Sequence, residues 1–525
     1  MNQTPIHEPH QRPEEKPENN DNPSRFLGGD AGADERAHLM DSYGLAGNTK
    51  LQRLANRLEA LAGVEARGIQ RVPPELKSRK ATFADYFQVF LVWFSADLTA
   101  NNIAIGLLAN VYGLGLTDAM LVGTFGAMAG SAFTGYISTF GPISGNRTLV
   151  VARYTMGYWP SKIAVIFNIV VMLGYGLVDC LLAGQILSAV SPNGSLSIIV
   201  GTIIAAVISL VICAFGIKLF HVYERYALIP QVCMFFILVG VAGSQFNLHA
   251  QSTGTAEVLS ADKLSFFFLS MSAPLAWSGS AADFFVYFPT SANRFYVGLC
   301  TTLGLGVATV FALCLGVGLS EGTLTNSAWA AANDVSAGAL IAEAFTPLGT
   351  FGKFCAVIIA LGEISNNIPG TYAASLGFQM LGRWLLVVPR LIWTIVGVVI
   401  YTVLACVGRN TFYDIFEDFL ALMGYWTILF FVLTLEEEFI FRRKRGGYNW
   451  DCWNKQKYLP IGIAAFTAFC IGWAGAVLGM YQNYYTGPIG GSVGDGADLG
   501  LPLAFGFAGV SFPPLRWLEL KYIGR

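Results

Sequence analysis

The sequence specifies an all-α polytopic membrane protein with twelve transmembrane helices. Three observations predict this class. Only 13% of the 525 residues are charged and 54% are hydrophobic, whereas soluble domains carry about 25% charge. Apolar runs of the length a bilayer demands, about 20 residues, recur along the chain. Lys and Arg then collect on alternate connections between those runs. Irregular backbone cannot face lipid, so the spans are helical.

Residues 1–80 are a polar segment rich in Pro, Asn, Glu and Asp, holding over a third of the charged residues. No apolar signal-peptide core occurs there, so the first span is expected to serve as the insertion signal. This cytoplasmic N-terminal tail is expected to be disordered, apart from a short amphipathic helix around residues 49–61, where Leu51, Leu54, Leu58 and Leu61 keep helical spacing.

The spans are expected near 84–110, 118–140, 163–190, 196–216, 227–246, 264–281, 296–319, 351–380, 387–407, 416–434, 458–481 and 499–513. Together they form a transmembrane domain over 81–519. Pro513 and Pro514 close the last run, leaving a short cytoplasmic C-terminal tail over 514–525.

Basic residues test this count. Arg71, Lys77, Arg79 and Lys80 precede span one. Arg147 and Arg153 fall between spans two and three, Lys218 and Arg225 between four and five, and Arg294 between six and seven. Arg383 follows span eight, Arg442–Arg445 follow span ten, and Arg516, Lys521 and Arg525 follow span twelve. The long connection over 320–350 has no Lys or Arg. Both termini are therefore expected in the cytoplasm. The sequon Asn193-Gly194-Ser195 then lies outside the membrane, close to its surface, and its occupancy stays open.

The nine cysteines occur singly, mostly in apolar runs, which points to buried thiols rather than disulfides or a metal site. A net charge of −2 offers nothing to nucleic acid. No zinc-protease, nucleophile-elbow or phosphate-loop motif is present, and His7, His10, His38, His221 and His249 fall in the tail or near span ends. An enzyme is not expected, nor any cofactor or metal.

Two spans are interrupted. Span one carries Ser95-Ala96-Asp97-Leu98-Thr99-Ala100-Asn101-Asn102 in its middle, and span six carries Ala273-Pro274-Leu275-Ala276-Trp277-Ser278-Gly279-Ser280. Such breaks leave carbonyls and amides free, and these survive at membrane depth only beside a cavity or ligand. Breaks five spans apart are the pattern of an inverted-repeat transporter. The repeats cover about 84–246 and 264–434, with extra helices over 458–513. This also separates a carrier from a channel or receptor.

Two other spans add polar groups. Tyr175 and Asp179 are four apart in span three and share a face. Glu363, Asn366, Asn367 and Gly370 form one stripe in span eight. Intramembrane carboxylates are costly and default to function. Trp277 and Tyr175 offer rings on which a flat heterocycle can stack, while amides and carboxylates read its edge.

These motifs resemble the fungal purine–cytosine permeases of the nucleobase–cation symporter-1 family. The likeness begins with GVEARGIQRVPP (63–74) and continues in FSADL (94–98), STFGPISGNRTLVVARYTMG (138–157) and SAADFFVYFP (280–289). It is sharpest in SNNIPGTYAASLGFQML (365–381) and VPRLIWTIVG (388–397). The resemblance implies a LeuT-like fold, a ten-helix inverted-repeat core, plasma-membrane uptake, and proton-driven symport of nucleobases such as cytosine and purines. It also implies that Ser95 and its neighbours, Trp277, Asn366 and Asn367 line the substrate site.

Four positions depart from the family's usual residues. Tyr175 stands where Trp is usual, and Asp179, Asp97 and Gly370 stand where Asn is usual. An ionised Asp only accepts hydrogen bonds. A more basic or bulkier heterocycle, of pyridoxine or thiamine type, is therefore the alternative substrate. A sodium site in such folds uses paired hydroxyls on span eight, and Ile364 beside Ser365 removes one of them. Asp97, Asp179 and Glu363 are the candidates for carrying a proton instead. The expected partners are a small heterocycle, protons and the lipid bilayer.

Overall fold

The computed structural model describes residues 68–525 apart from Gly216. The amphipathic helix expected at 49–61 lies outside them. Span one is two helices, α1 (Phe83–Asp97) and α2 (Ala100–Leu107), set at 59° to one another. Spans two to five are α3 (Leu116–Ser138), α4 (Ser161–Val190), α5 (Ile198–Phe215) and α6 (Ile217–Ala242). Span six is α7 (Ala256–Ala276), which loses α-helical form at Trp277 and continues as single turns. Span seven is α8 (Arg294–Thr323). The connection over 320–350 contains α9 (Ser327–Val335) and α10 (Ala337–Ala344). Spans eight to ten are α11 (Thr350–Leu381), α12 (Arg390–Val407) and α13 (Phe412–Glu436), and α14 (Ile463–Gly479) and α15 (Gly500–Tyr522) are the extra pair. Between those two lies a small antiparallel hairpin of β1 (Tyr481–Gln482) and β2 (Tyr485–Thr486).

Among the described residues, seven helices are long and apolar enough to cross a membrane, or eight with the bent α1–α2 pair. The other expected spans are the shorter apolar helices α5 and α14 and the charge-bearing α7 and α15.

The packing repeats itself at an offset of five spans. α3 packs on α8 and α4 on α11, each pair being repeat mates. The contact of α7 with α3 is mirrored by α1 and α2 against α8, and that of α12 with α4 by α5 against α11. Two sub-bundles result: α1, α2, α3, α7 and α8 in one, and α4, α5, α11 and α12 in the other. Small residues permit this closeness, as lipid-immersed helices require. A methyl group on Gly126 or Gly130 of α3 would strike the Phe267 or Met271 carbonyl of α7. Gly106 of α2 and Gly316 of α8 meet in the same way.

Both ends of the domain differ from expectation. Residues 68–80 are not part of a disordered tail: Ile69, Val72 and Lys77 are buried. The Val72 N–H donates to the Gly145 carbonyl at 2.8 Å, Lys77 Nζ to the Pro142 carbonyl at 2.7 Å and Arg71 Nε to the Ser144 carbonyl at 2.8 Å. The turn after α3 presents a row of carbonyls, and this strap supplies the donors. The C-terminal tail expected from residue 514 is the end of α15, which runs to Tyr522 through both prolines. Its Arg516 is buried and donates to Glu437 at 2.9 and 3.0 Å and to Glu519 at 3.0 Å. Glu519 in turn accepts from the Gly462 and Ala464 amides at the start of α14, at 3.2 and 2.7 Å. This buried ion network holds the last turns in place.

Candidate functional site

The break in span one comes at Leu98 and Thr99, which take non-helical angles between α1 and α2. The freed backbone groups find partners on other helices, as burial requires. The Leu98 carbonyl accepts from Gln231 Nε2 of α6 at 3.2 Å. The Asp97 carbonyl accepts from Asn102 Nδ2 at 2.6 Å. The Ala100 N–H, the first of α2, donates to Glu363 Oε1 of α11. A carboxylate at a helix N-terminus meets the positive end of the helix dipole. The next residue, Asn101, donates through Nδ2 to Asp179 Oδ1 of α4 at 2.9 Å and accepts from the Thr99 hydroxyl at 2.6 Å.

The break in span six lies opposite. Pro274 removes one helical donor, and Ser280 ends the turn at φ −130° and ψ 0°. Its freed carbonyls are claimed by hydroxyls. Thr134 of α3 donates to the Pro274 carbonyl at 2.7 Å, and the Tyr175 hydroxyl of α4 donates to the Ala273 carbonyl at 2.7 Å. Ser280 accepts from Asn168 Nδ2 of α4 at 3.3 Å.

Trp277 joins the two breaks. Its Nε1 donates to Asp97 Oδ1 at 3.1 Å. Its ring stacks on Tyr175 with centroids 5.5 Å apart and planes 14° from parallel. Phe419 of α13 meets Tyr175 edge-on at 5.8 Å, and Trp93 of α1 meets Trp277 edge-on at 5.9 Å. The outcome is a buried aromatic shelf with carboxylates along one side.

Seven of the eight candidate residues read from the sequence, Ser95, Asp97, Tyr175, Asp179, Trp277, Asn366 and Gly370, are buried on the elements that make this junction, span one, α4, α11 and the break in span six. Asn366 has an Oδ1 without a protein partner, and Gly370 faces Met172 of α4. Asn367 is turned elsewhere. Its amide donates to Cys180 Sγ at 3.2 Å, to Ser209 of α5 at 3.2 Å and to Tyr401 of α12 at 3.1 Å. Its Oδ1 accepts from Thr371 at 3.0 Å. Adjacent helical residues point about 100° apart, so while Asn367 bonds three helices together, Asn366 points away from those partners. Asn101, Gln231, Trp93 and Phe419 were not singled out in the sequence. A signal existed for two of them: Asn101 lies in the polar stretch of span one, and Gln231 is a lone amide beside Pro230 in an apolar run.

Residues 73–501 match the family model described as permease for cytosine/purines, uracil, thiamine, allantoin. This chain belongs to that family. The permease is 34% identical to the purine-cytosine permease fcyB of Emericella nidulans, over 92% of this chain and 94% of that one. It is 30% identical to the vitamin B6 transporter TPN1 of Saccharomyces cerevisiae, over 90% of this chain and 92% of that one. Among solved structures, it is similar to Mhp1, a nucleobase-cation-symport-1 family transporter, with bromovinylhydantoin bound. That match has a TM-score of 0.62 at 15% identity and covers 86% of this chain and 95% of that one. The fold is therefore the LeuT-like inverted repeat of five plus five helices. The permease is a multi-pass membrane transporter, not an enzyme.

Proposed function

We propose that this permease takes up nucleobases, cytosine and purines, by proton-coupled alternating access at the plasma membrane, with both termini in the cytoplasm. The observation that carries the reading is the Trp277–Tyr175 stack set beside Asp97, where spans one and six both lose their helical bonding. Rings give a planar base its apolar contact, and neighbouring polar groups read its edge. Ser95, Asp97, Tyr175, Asp179, Trp277, Asn366 and Gly370 form the binding set, and Asn367 supports it from behind. The purine-cytosine relatives and the sided Lys and Arg residues agree with the substrate class and the orientation. Protons are the coupling ion because Asp97, Asp179 and Glu363 converge on the two breaks.

A second reading has its own support. Carboxylates at 97 and 179 favour a ligand richer in donors, and a vitamin B6 transporter stands among the relatives. One experiment separates the two: radiolabel uptake and growth in a host stripped of its own permeases. Cytosine uptake and sensitivity to 5-fluorocytosine are expected, stimulated by external acid and indifferent to sodium. Uptake of pyridoxine alone would favour the second reading, and strict sodium dependence would end the proton assignment.

A further inference from the structure

We propose that Asp179 and Glu363 act together as the proton-loading pair, holding one proton between the two side chains and loosening their hold on the start of α2 while loaded. The proposal rests on the reading of proton-coupled uptake above and narrows it to two residues and one moving part.

The first argument is geometric. Asp179 belongs to α4 and Glu363 to α11, which pack on each other in one sub-bundle. Both reach to consecutive residues of α2, in the other sub-bundle. Glu363 Oε1 accepts from the Ala100 N–H, and Asp179 Oδ1 accepts from Asn101 Nδ2 at 2.9 Å. They therefore bridge the two halves at the hinge where span one bends by 59°.

The second argument is chemical. Asp179 Oδ2 and Glu363 Oε2 are buried without a protein hydrogen-bond partner. Neither residue takes part in an ion pair among the described residues. Glu363 and Asp97 are charged neighbours of Asp179. The other titratable groups nearby are Tyr175 and Cys180 on α4, Cys213 on α5 and Tyr401 on α12, none of them cationic, and the cation that reaches this set, Arg390 of α12, acts on Cys213. Gln231 of α6, beside Gly362, is neutral. Two ionised carboxylates without a counter-ion in the bilayer interior are very costly. One proton neutralises one charge and gives one of the bare oxygens a hydrogen to donate.

Loading then has a mechanical consequence. The proton binds a carboxylate from the outer solution to form the acid, and its loss to the cytoplasm restores the carboxylate; no other bond changes. Loaded, the pair holds the α2 terminus with one negative charge. Emptied, it holds it with two, and because the Ala100 N–H and the Asn101 amide bond a carboxylate more strongly than the neutral acid, the clamp tightens.

Purified permease in proteoliposomes tests this, with substrate-evoked current and uptake measured against external pH. The probe is cytosine, or pyridoxine if growth selects it. Glu363→Gln imitates the loaded acid and cannot release a proton. It should lose accumulation against a gradient and substrate-evoked current by at least about tenfold, while equal-concentration exchange persists. Asp179→Asn removes the like charge and should move the pH midpoint of uptake to the acid side by about one unit. Asn101→Ala removes a bond to the charged form and should move the midpoint to the alkaline side. A purely structural role would not shift the two midpoints in opposite directions, and these shifts decide the matter if Glu363→Gln does not reach the membrane. Accumulation by Glu363→Gln, or unmoved midpoints in both other variants, would overturn the pair while leaving proton coupling intact. A wild type that ignores pH and requires sodium would overturn the coupling reading, and the pair with it.

Discussion

Asn366 and Asn367 are neighbours of the same type with different work. Asn366 keeps a buried, unpaired Oδ1, whereas Asn367 bonds α4, α5 and α12. Truncation separates them. Asn366→Ala should lose about 1–2 kcal/mol of ligand binding, roughly a tenfold rise in KM, with the protein as stable as before. Asn367→Ala should leave several buried groups unpartnered and cost about 1–3 kcal/mol of stability, seen as a lower melting temperature in detergent. The idea fails if Asn367→Ala raises KM without lowering thermal stability. Asp97 follows similar logic, since Trp277 Nε1 donates to it. Its carboxylate orients the stacking ring, in addition to any contact with a ligand edge.

Two elements outside the site carry their own expectations. The hairpin before α15 docks through Asp498, which accepts from Tyr425 at 2.8 Å and from Gln482 at 3.0 Å. Burial raises the Asp498 carboxyl to about 6, against hydrogen bonds from Tyr425 and Gly500 that pull it down. A folded value above the free one means that the protonated acid favours docking. The stabilisation is full below about pH 4 and is lost as pH rises through the folded value. Hydrogen exchange at the hairpin amides, corrected for intrinsic rates, should show more protection at acid than at neutral pH. Asp498→Asn should flatten that difference; equal protection in the native protein would count against it. At the other end of α15, Arg516 is enclosed by Glu437 and Glu519. Arg516→Ala leaves the buried Glu519 without its cation and Glu437 with Arg442 alone, and should cost about 3 kcal/mol. Arg516→Lys should recover only part, because an ammonium cannot fork onto Glu437 as the guanidinium does.

The whole molecule is built around two sub-bundles, each repeated internally at an offset of five spans; both broken helices belong to one of them, and their breaks are met by side chains of the other. The charge pattern orients this assembly. Cysteines introduced one at a time at exposed positions of the 320–350 connection and the hairpin region should react with an impermeant reagent from outside. Those near Lys444 and Arg525 should react only after permeabilisation. Labelling of the Arg525 region in intact cells would invert the topology.

Much of this was written in the chain. Low charge, apolar runs and sided Lys and Arg residues predict twelve spans, because a bilayer imposes one length and one polarity on every crossing segment. The breaks at Asp97–Asn102 and Pro274–Ser280 were legible for the same reason: polar runs and proline are costly at that depth. Four things were not. A helical stripe cannot tell which edge meets the cavity, so Asn367 and Asn366 looked alike. Paired prolines at 513 and 514 looked like a terminus, yet Arg516 and its carboxylates carry the helix past them. The strap over 68–80 read as solvated charge, because only the carbonyls after α3, distant in sequence, make its burial favourable. The convergence of Asp179 and Glu363 on Ala100 and Asn101 likewise joins residues 78 and 263 positions apart. Local composition fixes where a segment sits relative to the membrane; which side chains meet across it is decided by packing between distant helices, and only the folded structure supplies that.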